Sequence, residues 1–190
     1  MKVPSYDKNN RRQAFERLPK GAYVCKILNI EEAKSRSGKD MLKISFDIAE
    51  GEYKDFYAKQ YQANTSEDKK WSYDATMYLL FPYDGCEAFI SRNWDTFWAD
   101  VEDSNNGYVF DGNEKTVKGK TFGGLFRIEQ TEYNGNIYDH TRLAFTRIAQ
   151  DIRDEKYSLP EDKLVAAAAP TNDDSFMDVP TGIEMDLPFK

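Results

Sequence analysis

Asn134-Gly135 sits between two long runs of period-two sequence, TFGGLFRIEQTEY and IYDHTRLAFTRIA. Asn-Gly supplies the positive φ angles that a tight two-residue hairpin needs, so this dipeptide predicts a long antiparallel pair near the end of the folded region. A second alternating run, MLKISFDIAEG, places Leu42, Ile44, Phe46 and Ile48 on one face and Lys43, Ser45 and Asp47 on the other, the signature of a half-buried strand. Before it, GAYVCKILNI follows the turn Leu18-Pro19-Lys20-Gly21 and predicts a first strand with Val24, Leu28 and Ile30 on one side. EEAKSRSGKD between them reads as a long basic loop.

After Gly51-Glu52, YKDFYAKQYQ reads as a further strand, in which side chains two apart share a face. Tyr57, Lys59 and Tyr61 would then form an aromatic-basic-aromatic stripe. The period changes next. Ser66 is an N-cap candidate with Glu67 and Asp68 behind it, and Trp71, Ala75, Tyr78 and Leu79 recur at helical spacing up to Pro82. A second helix follows the turn at Tyr83-Asp84-Gly85, with Ile90, Trp94, Phe97, Trp98 and Val101 on one stripe and Asp95, Asp100, Glu102 and Asp103 opposite. Asn105-Asn106-Gly107 stops it. The tryptophans and Phe97 belong to the core on this spacing. Gly123-Gly124 inside a predicted strand signals close backbone packing or a bulge.

These elements predict a mainly β fold with inserted helices: an OB-like, five-stranded, partly open barrel over residues 1–158, with a helical insertion at about 63–113 and a disordered acidic C-terminal tail over 159–190. An open α+β sheet is the alternative.

Two cysteines, Cys25 and Cys86, have no CxxC partner and are expected to act as small buried apolar residues in a reducing compartment. His140 has no second histidine to share a metal with and reads as a surface polar residue. No apolar run approaches the roughly 20 residues of a membrane span, and no signal-peptide pattern opens the sequence. The expected location is therefore cytoplasmic.

A formal net charge of −7 at first opposes a nucleic-acid partner. The charge is segregated, however: residues 1–62 hold 13 Lys/Arg against 9 Asp/Glu, whereas 63–113 hold 3 against 10 and 159–190 hold 2 against 7. A basic face on an acidic protein is thus permitted. Single strands are held by cations that follow phosphates and by aromatic faces on which bases stack. The cationic candidates are Lys20, Lys26, Lys34, Arg36, Lys39, Lys43, Lys59, Lys118, Lys120, Arg127 and Arg142; the stacking candidates are Tyr23, Tyr57, Tyr61, Tyr133 and Tyr138. The acidic tail ends in an apolar tip at Asp186, Leu187, Pro188 and Phe189, suited to a basic-rimmed pocket on a partner. Asp40 with Glu52-Tyr53-Lys54 loosely fits a Mg²⁺-dependent nuclease core, a spacing that arises by chance in so charged a chain. No phosphate-cradling loop or nucleophile elbow is present. No cofactor and no catalytic role are expected.

Two stretches, FERLPKGAYVCKILNIEEAKSRSGKDMLKISFDIAEGEYKDFYAKQY and KGKTFGGLFRIEQTEYNGNIYDHTRLAFTRIAQDIRDEKY, resemble a family of bacteriophage and prophage single-stranded-DNA-binding proteins, over most of residues 15–157. The end MDLPFK is similar to the acidic tails of bacterial single-stranded-DNA-binding proteins, which recruit replication and repair enzymes; here Lys190 follows the phenylalanine. The resemblance implies non-sequence-specific binding of single-stranded DNA in phage replication or recombination, with partner proteins recruited by the tail. It implies no individual contact residue. The partners expected are single-stranded DNA, replication or recombination proteins and a further copy of the chain, with no membrane. A protein-interaction adaptor, or a DNA mimic that does not bind DNA, is the alternative.

Overall fold

The computed structural model of the protein describes residues 16–165. Five antiparallel strands form one open sheet: β1 (Gly21–Lys34), β2 (Asp40–Ile48), β3 (Thr76–Leu80), β4 (Thr121–Tyr133) and β5 (Asn136–Arg147), in the order β3-β2-β1-β4-β5. Among the described residues three α-helices accompany them: α1 (Phe56–Ala63), α2 (Ala88–Ser104) and α3 (Ala149–Arg153). The predicted mainly β architecture with helices is therefore present. No helix among the described residues is long and apolar enough to cross a membrane.

The inner face of the sheet carries the core. Cys25, Ile27, Leu42, Ile44, Phe46, Ile48, Phe122 and Phe126 bury there against Phe97, Trp98 and Val101 of α2. Phe46 lies at its centre, meeting Tyr57, Phe122 and Phe126 edge-on at centroid distances of 6.5, 5.8 and 6.0 Å. Such edge-to-face contacts add to the stabilisation from area alone. On the outer face, α3 covers Val24 and Leu125 through Ala149 and Ile152.

Two register shifts bend the sheet. One falls in β1 between Ile27 and Asn29; the other lies between β4 and β5 at Leu125 and Phe126. The first splits the side expected for Val24, Leu28 and Ile30. Val24 turns outward beneath α3, while Ile30 packs on the inner core. Bulges raise the local twist, which lets the sheet curl so that its two edges approach.

Gly123 and Gly124 do what their position in a strand suggested. A Cβ on Gly123 would lie 2.5 Å from Ile152 Cγ1 and 3.0 Å from the carbonyl oxygens of Arg147 and Ile148; one on Gly124 would lie 2.8 Å from Leu143 and Phe126. The glycines admit α3 on one face and the core on the other. Asn134-Gly135 forms the predicted β4–β5 turn, both residues at positive φ.

Several elements differ from the sequence reading. Residues 66–82 form no helix: after a 3₁₀ turn at Tyr73–Ala75 they become β3, paired from Thr76 to Leu80 with β2. The third strand therefore comes from inside the segment read as a helical insertion. The unpaired edge of β2 offers backbone groups that a strand satisfies and a helix cannot, and the period-two set Ala75, Met77 and Leu79 faces the core. Conversely, Phe56–Ala63 is α1 rather than a strand. At 3.6 residues per turn Lys59 points away from Tyr57 and Tyr61, so the expected stripe does not form. The basic loop shrinks to a tight turn, in which Gly38 N–H donates to Ser35 O.

Asp47, assigned to the solvent face, is buried. Its Oδ1 accepts from the N–H groups of Ile48 and Tyr57, and its Oδ2 from Ala58 N–H. It thereby caps α1 from a neighbouring strand, because the residue at the N-cap position, Asp55, makes no side-chain cap bond. Asp100, placed on an exposed helix face, is also buried. Cys25 is fully buried, whereas Cys86 is half-exposed with its Sγ 3.4 Å from Ser91 Oγ.

Part of the segment read as a tail is paired with the sheet. Lys163 N–H donates to Ile128 O and its carbonyl accepts from Gln130 N–H, so residues 161–165 lie along β4 where β1 has stopped pairing. Asp186, Leu187, Pro188 and Phe189 lie outside the described residues.

Two substitutions test this packing. Gly123→Ala should cost about 1–3 kcal/mol in urea denaturation, because a backbone neighbour cannot move aside for the methyl group; an unchanged midpoint would mean that α3 does not seat on β4. Asp47→Ala should cost about 1–2 kcal/mol as a lost helix cap, with Asp47→Asn, which keeps one acceptor oxygen, falling between it and the wild type.

Candidate nucleic-acid interface

The curl of the sheet leaves a groove between its two edge strands. β3 and β5 are not hydrogen-bonded to each other among the described residues. The groove has a volume of about 590 Å³ and is floored by α2, which contributes Phe89, Arg92, Asn93, Thr96 and Phe97. Four large aromatics in its lining are open to solvent: Tyr73 is 55% exposed, Tyr78 43%, Phe89 50% and Phe145 55%. Arg142 and Arg147 from β5 join Arg92 in the lining. Scattered exposed apolar residues are ordinary, but four aromatics around one concavity with three arginines mark a binding surface.

A charged clasp spans the gap at one end. Asp74, in the turn before β3, places Oδ1 3.4 Å from His140 Nδ1 and 3.6 Å from Arg142 Nε. The distance to Arg142 is longer than a hydrogen bond, and neither Asp74 Oδ1 nor Arg142 Nε has a hydrogen-bond partner among the described residues. The Arg142 guanidinium instead stacks 4.1 Å from the centroid of Tyr73, which leans on Tyr78 at 6.1 Å. His140 is thus half-buried against a carboxylate rather than a plain surface residue. On the other side of Tyr78, the β2–β3 register puts Lys43 directly opposite it.

Only part of the predicted set gathers here. Arg142 lines the groove and Lys43 borders it. Tyr133 and Tyr138 are exposed near the tip of the β4–β5 hairpin, and Arg36 and Lys39 lie in the β1–β2 turn. Lys39 donates to the Tyr83 hydroxyl and sits 4.5 Å from that ring's centroid. Several of the predicted cations, Lys43 included, are bound to carboxylates within the fold: Lys20 to Asp162 at 2.9 Å, Lys34 to Asp40 at 2.5 Å, Lys43 to Glu31 at 3.4 Å and Arg127 to Glu129 at 2.6 Å. Lys59 reaches back to the Lys54 carbonyl. Lys26, Lys118 and Lys120 lie elsewhere, around the start of β4.

Three of the proposed stacking residues are otherwise engaged. Tyr57 is buried, and burial pushes its phenol well up from the ordinary value. Tyr61 packs against Trp71, with Lys69 over its ring. Tyr23 meets Tyr53 and Phe126 edge-on and donates its hydroxyl to Pro19 O. Burial, with neighbouring Tyr53 and Glu52, pushes the Tyr23 phenol from 10.0 to about 12.

Tyr73, Tyr78, Phe89, Phe145, Arg92 and Arg147 were not anticipated. Phe145 shares strand parity with Leu143, which packs on the core, and a parity argument hides it. The β4–β5 register shift, which pairs Leu125 with Phe145 but Phe126 with Leu143, swings it outward. Tyr78 was hidden by the helical reading of its segment.

Asp40 and Glu52 do not meet. Asp40 starts β2 and Glu52 follows its end, roughly 25 Å apart at about 3.3 Å per residue. No group of three metal-ligating side chains is assembled among the described residues.

Residues 4–80 match the family described as protein of unknown function (DUF669). No curated protein matches the chain.

The position of Tyr23 can be tested by titration. A raised phenol pKa means that the neutral form is favoured by folding. The stability tied to it should be complete below pH 10 and fall as the pH rises toward about 12. Wild type should therefore lose urea stability relative to Tyr23→Phe across that window; parallel pH profiles would mean that the ring is solvated and open to a ligand.

Proposed function

We propose that this chain is a phage-type single-stranded-DNA-binding protein with an OB-like, partly open barrel, acting in DNA replication or recombination in the cytoplasm of a bacterial host. The observation that carries this reading is the groove between β3 and β5, where four exposed aromatics and three arginines share one concavity. Aromatic faces accept any base, and arginines both stack and follow phosphates, which is the chemistry of sequence-tolerant single-strand binding.

The strand plan supports the same reading. A three-stranded meander, a helix and a closing hairpin, with edges β3 and β5 drawn together, suit an OB-like barrel. Such barrels bind oligonucleotides on the face of their second and third strands and in the loops after the first and fourth. Here that face bears Lys43 and Tyr78, the first loop Arg36 and Lys39, and the hairpin end Tyr133 and Tyr138. Asp186, Leu187, Pro188 and Phe189 are assigned to recruiting replication or recombination proteins.

A protein adaptor is the second reading, favoured by the two unpaired strand edges that flank the groove, since an extended peptide could add to either.

Fluorescence anisotropy of labelled oligothymidine with the full-length protein separates the two. Binding should weaken steeply as salt rises, because each neutralised phosphate releases counterions. Tyr78→Ala and Phe145→Ala should each weaken binding by about 5- to 100-fold, the equivalent of losing one stacked base at about 1–3 kcal/mol. No binding at low salt, or affinity indifferent to both substitutions, would transfer the groove to the adaptor reading.

A further inference from the structure

Asp74 stands between two cavities. It lines the groove together with Arg142, and it lines a second, smaller pocket of about 300 Å³ together with Tyr57, Gln60, Ser72 and Asp139. The turn that carries it is fixed. Asp74 N–H donates to Ser72 Oγ at 3.3 Å, Thr76 Oγ1 donates to Ser72 O at 2.9 Å, Trp71 Nε1 donates to Ala75 O at 3.1 Å, and Ala75 is fully buried. The backbone is pinned, yet the carboxylate oxygen turned toward β5 accepts no hydrogen bond among the described residues.

The unpaired polar atoms of the fold gather around these cavities. Five buried side-chain nitrogen or oxygen atoms lack a hydrogen-bond partner among the described residues, and three of them are Tyr57 Oη, Asp74 Oδ1 and Arg142 Nε. A buried polar atom left unpaired is costly, so three in adjoining cavities point to a partner that the free chain does not supply.

On the groove side, Asp74 and Arg142 attract each other at 3.6 Å without a hydrogen bond. His140, two residues earlier on β5, meets the same oxygen at 3.4 Å. A phosphate oxygen can approach a guanidinium N–H to about 2.7–2.9 Å, and so completes the bond that Asp74 leaves open. Glu129, also in the groove's lining, accepts two bonds from Arg127, and Asp139 is paired with Arg17 at 2.8 Å, so neither competes with Asp74 for Arg142.

On the pocket side, the Tyr57 hydroxyl is a donor with no acceptor, on a residue only 4% exposed. Burial, and next the charge of Asp74, push its phenol well up, which sets the carboxylate near the ring. An Asp74 side chain turned away from Arg142 therefore finds in the pocket the donor that it lacks on the groove side.

We propose that Asp74 is a built-in stand-in for phosphate: in the free protein its carboxylate covers Arg142, and a phosphate of the bound strand takes Arg142 while Asp74 turns to accept from the Tyr57 hydroxyl. The exchange also draws the Arg142 guanidinium off the face of Tyr73, 4.1 Å away in the free protein, and opens that face to a base. Phosphate binding and base stacking are thereby coupled at the clasped end of the groove. The strand is that of the groove reading, on which this part rests; the turn of Asp74 requires only a phosphate-type anion at Arg142.

Anisotropy of labelled oligothymidine with the full-length protein at low salt gives the first readout. Asp74→Asn, which keeps the shape and removes the charge, should tighten binding by about two- to fivefold, the scale of one released ion pair. In an Arg142→Gln background the same substitution should change affinity by less than about 1.5-fold, because nothing remains to uncover. Tyr57→Phe deletes a hydroxyl that is unpaired in the free protein, so the thermal midpoint should not fall. It should nonetheless weaken oligothymidine binding by about two- to fivefold, as for one lost hydrogen bond, and that loss should vanish beside Asp74→Asn. A merely structural Tyr57 would show no such dependence on residue 74.

The second readout needs no DNA. The Arg142 Nε–H resonance should shift on addition of inorganic pyrophosphate, and at lower pyrophosphate in Asp74→Asn than in wild type. The proposal is overturned if Asp74→Asn weakens oligothymidine binding, as it would if the carboxylate held Arg142 in place for the strand, or if its effect is the same in Arg142→Gln. Absence of both the oligothymidine and the pyrophosphate response overturns it as well. Oligothymidine that no variant binds, with pyrophosphate still shifting Arg142 more readily in Asp74→Asn, would sink the groove reading and leave the exchange standing.

Discussion

The antiparallel ladders on either side of β1 position nearly everything else. β1 pairs with β2 over most of its length and with β4 over Gly21–Lys26, and it brings residues nearly a hundred positions apart into one sheet. Cys25 illustrates the consequence: it faces Ile48 on one side and Phe122 on the other, and all three are fully buried. Burial of these apolar side chains from distant segments is the main favourable term in the fold. The two outer strands attach to this centre, so the width of the gap between them follows from how the central strands twist.

The twist has local causes. The irregularity after Ile27 and the shift at Leu125 and Phe126 each break strict alternation. Gly123 and Gly124 let α3 and the core approach the same stretch of β4 from opposite faces. The curvature lets Asp74 reach Arg142 and His140 across the gap, and that contact holds the Tyr73 end of the groove. Core packing and site geometry are therefore coupled through β4 and β5.

The carboxylates show how context decides the role of a residue type. Asp47 and Asp100 sit where an alternation or a helical wheel puts solvent, yet both are buried, Asp47 as the cap of a helix that starts nine residues later. Glu129, Asp40 and Asp162 neutralise cations that, in sequence, are indistinguishable from lysines open to a ligand. A count of charges along the chain cannot separate the two kinds, because pairing depends on strand register and on returning segments such as 161–165.

Local periodicity and turn chemistry were enough to specify β1 and β2, the stripe of α2, the Asn134-Gly135 hairpin and the close packing at Gly123-Gly124. These depend on neighbours a few residues apart, where backbone geometry alone sets which side chains share a face. Tertiary structure decided what required a distant partner. Thr76–Leu80 is a strand because β2 has an edge to satisfy, although its Trp71, Ala75 and Tyr78 also fit a helix; Phe56–Ala63 is a helix because Asp47 caps it, although Tyr57 and Tyr61 also fit a strand. The groove lay beyond local reasoning for the same reason. A register shift turned Phe145 outward, a strand in place of a helix exposed Tyr78, and only the approach of the two sheet edges set these rings beside Arg92, Arg142 and Arg147.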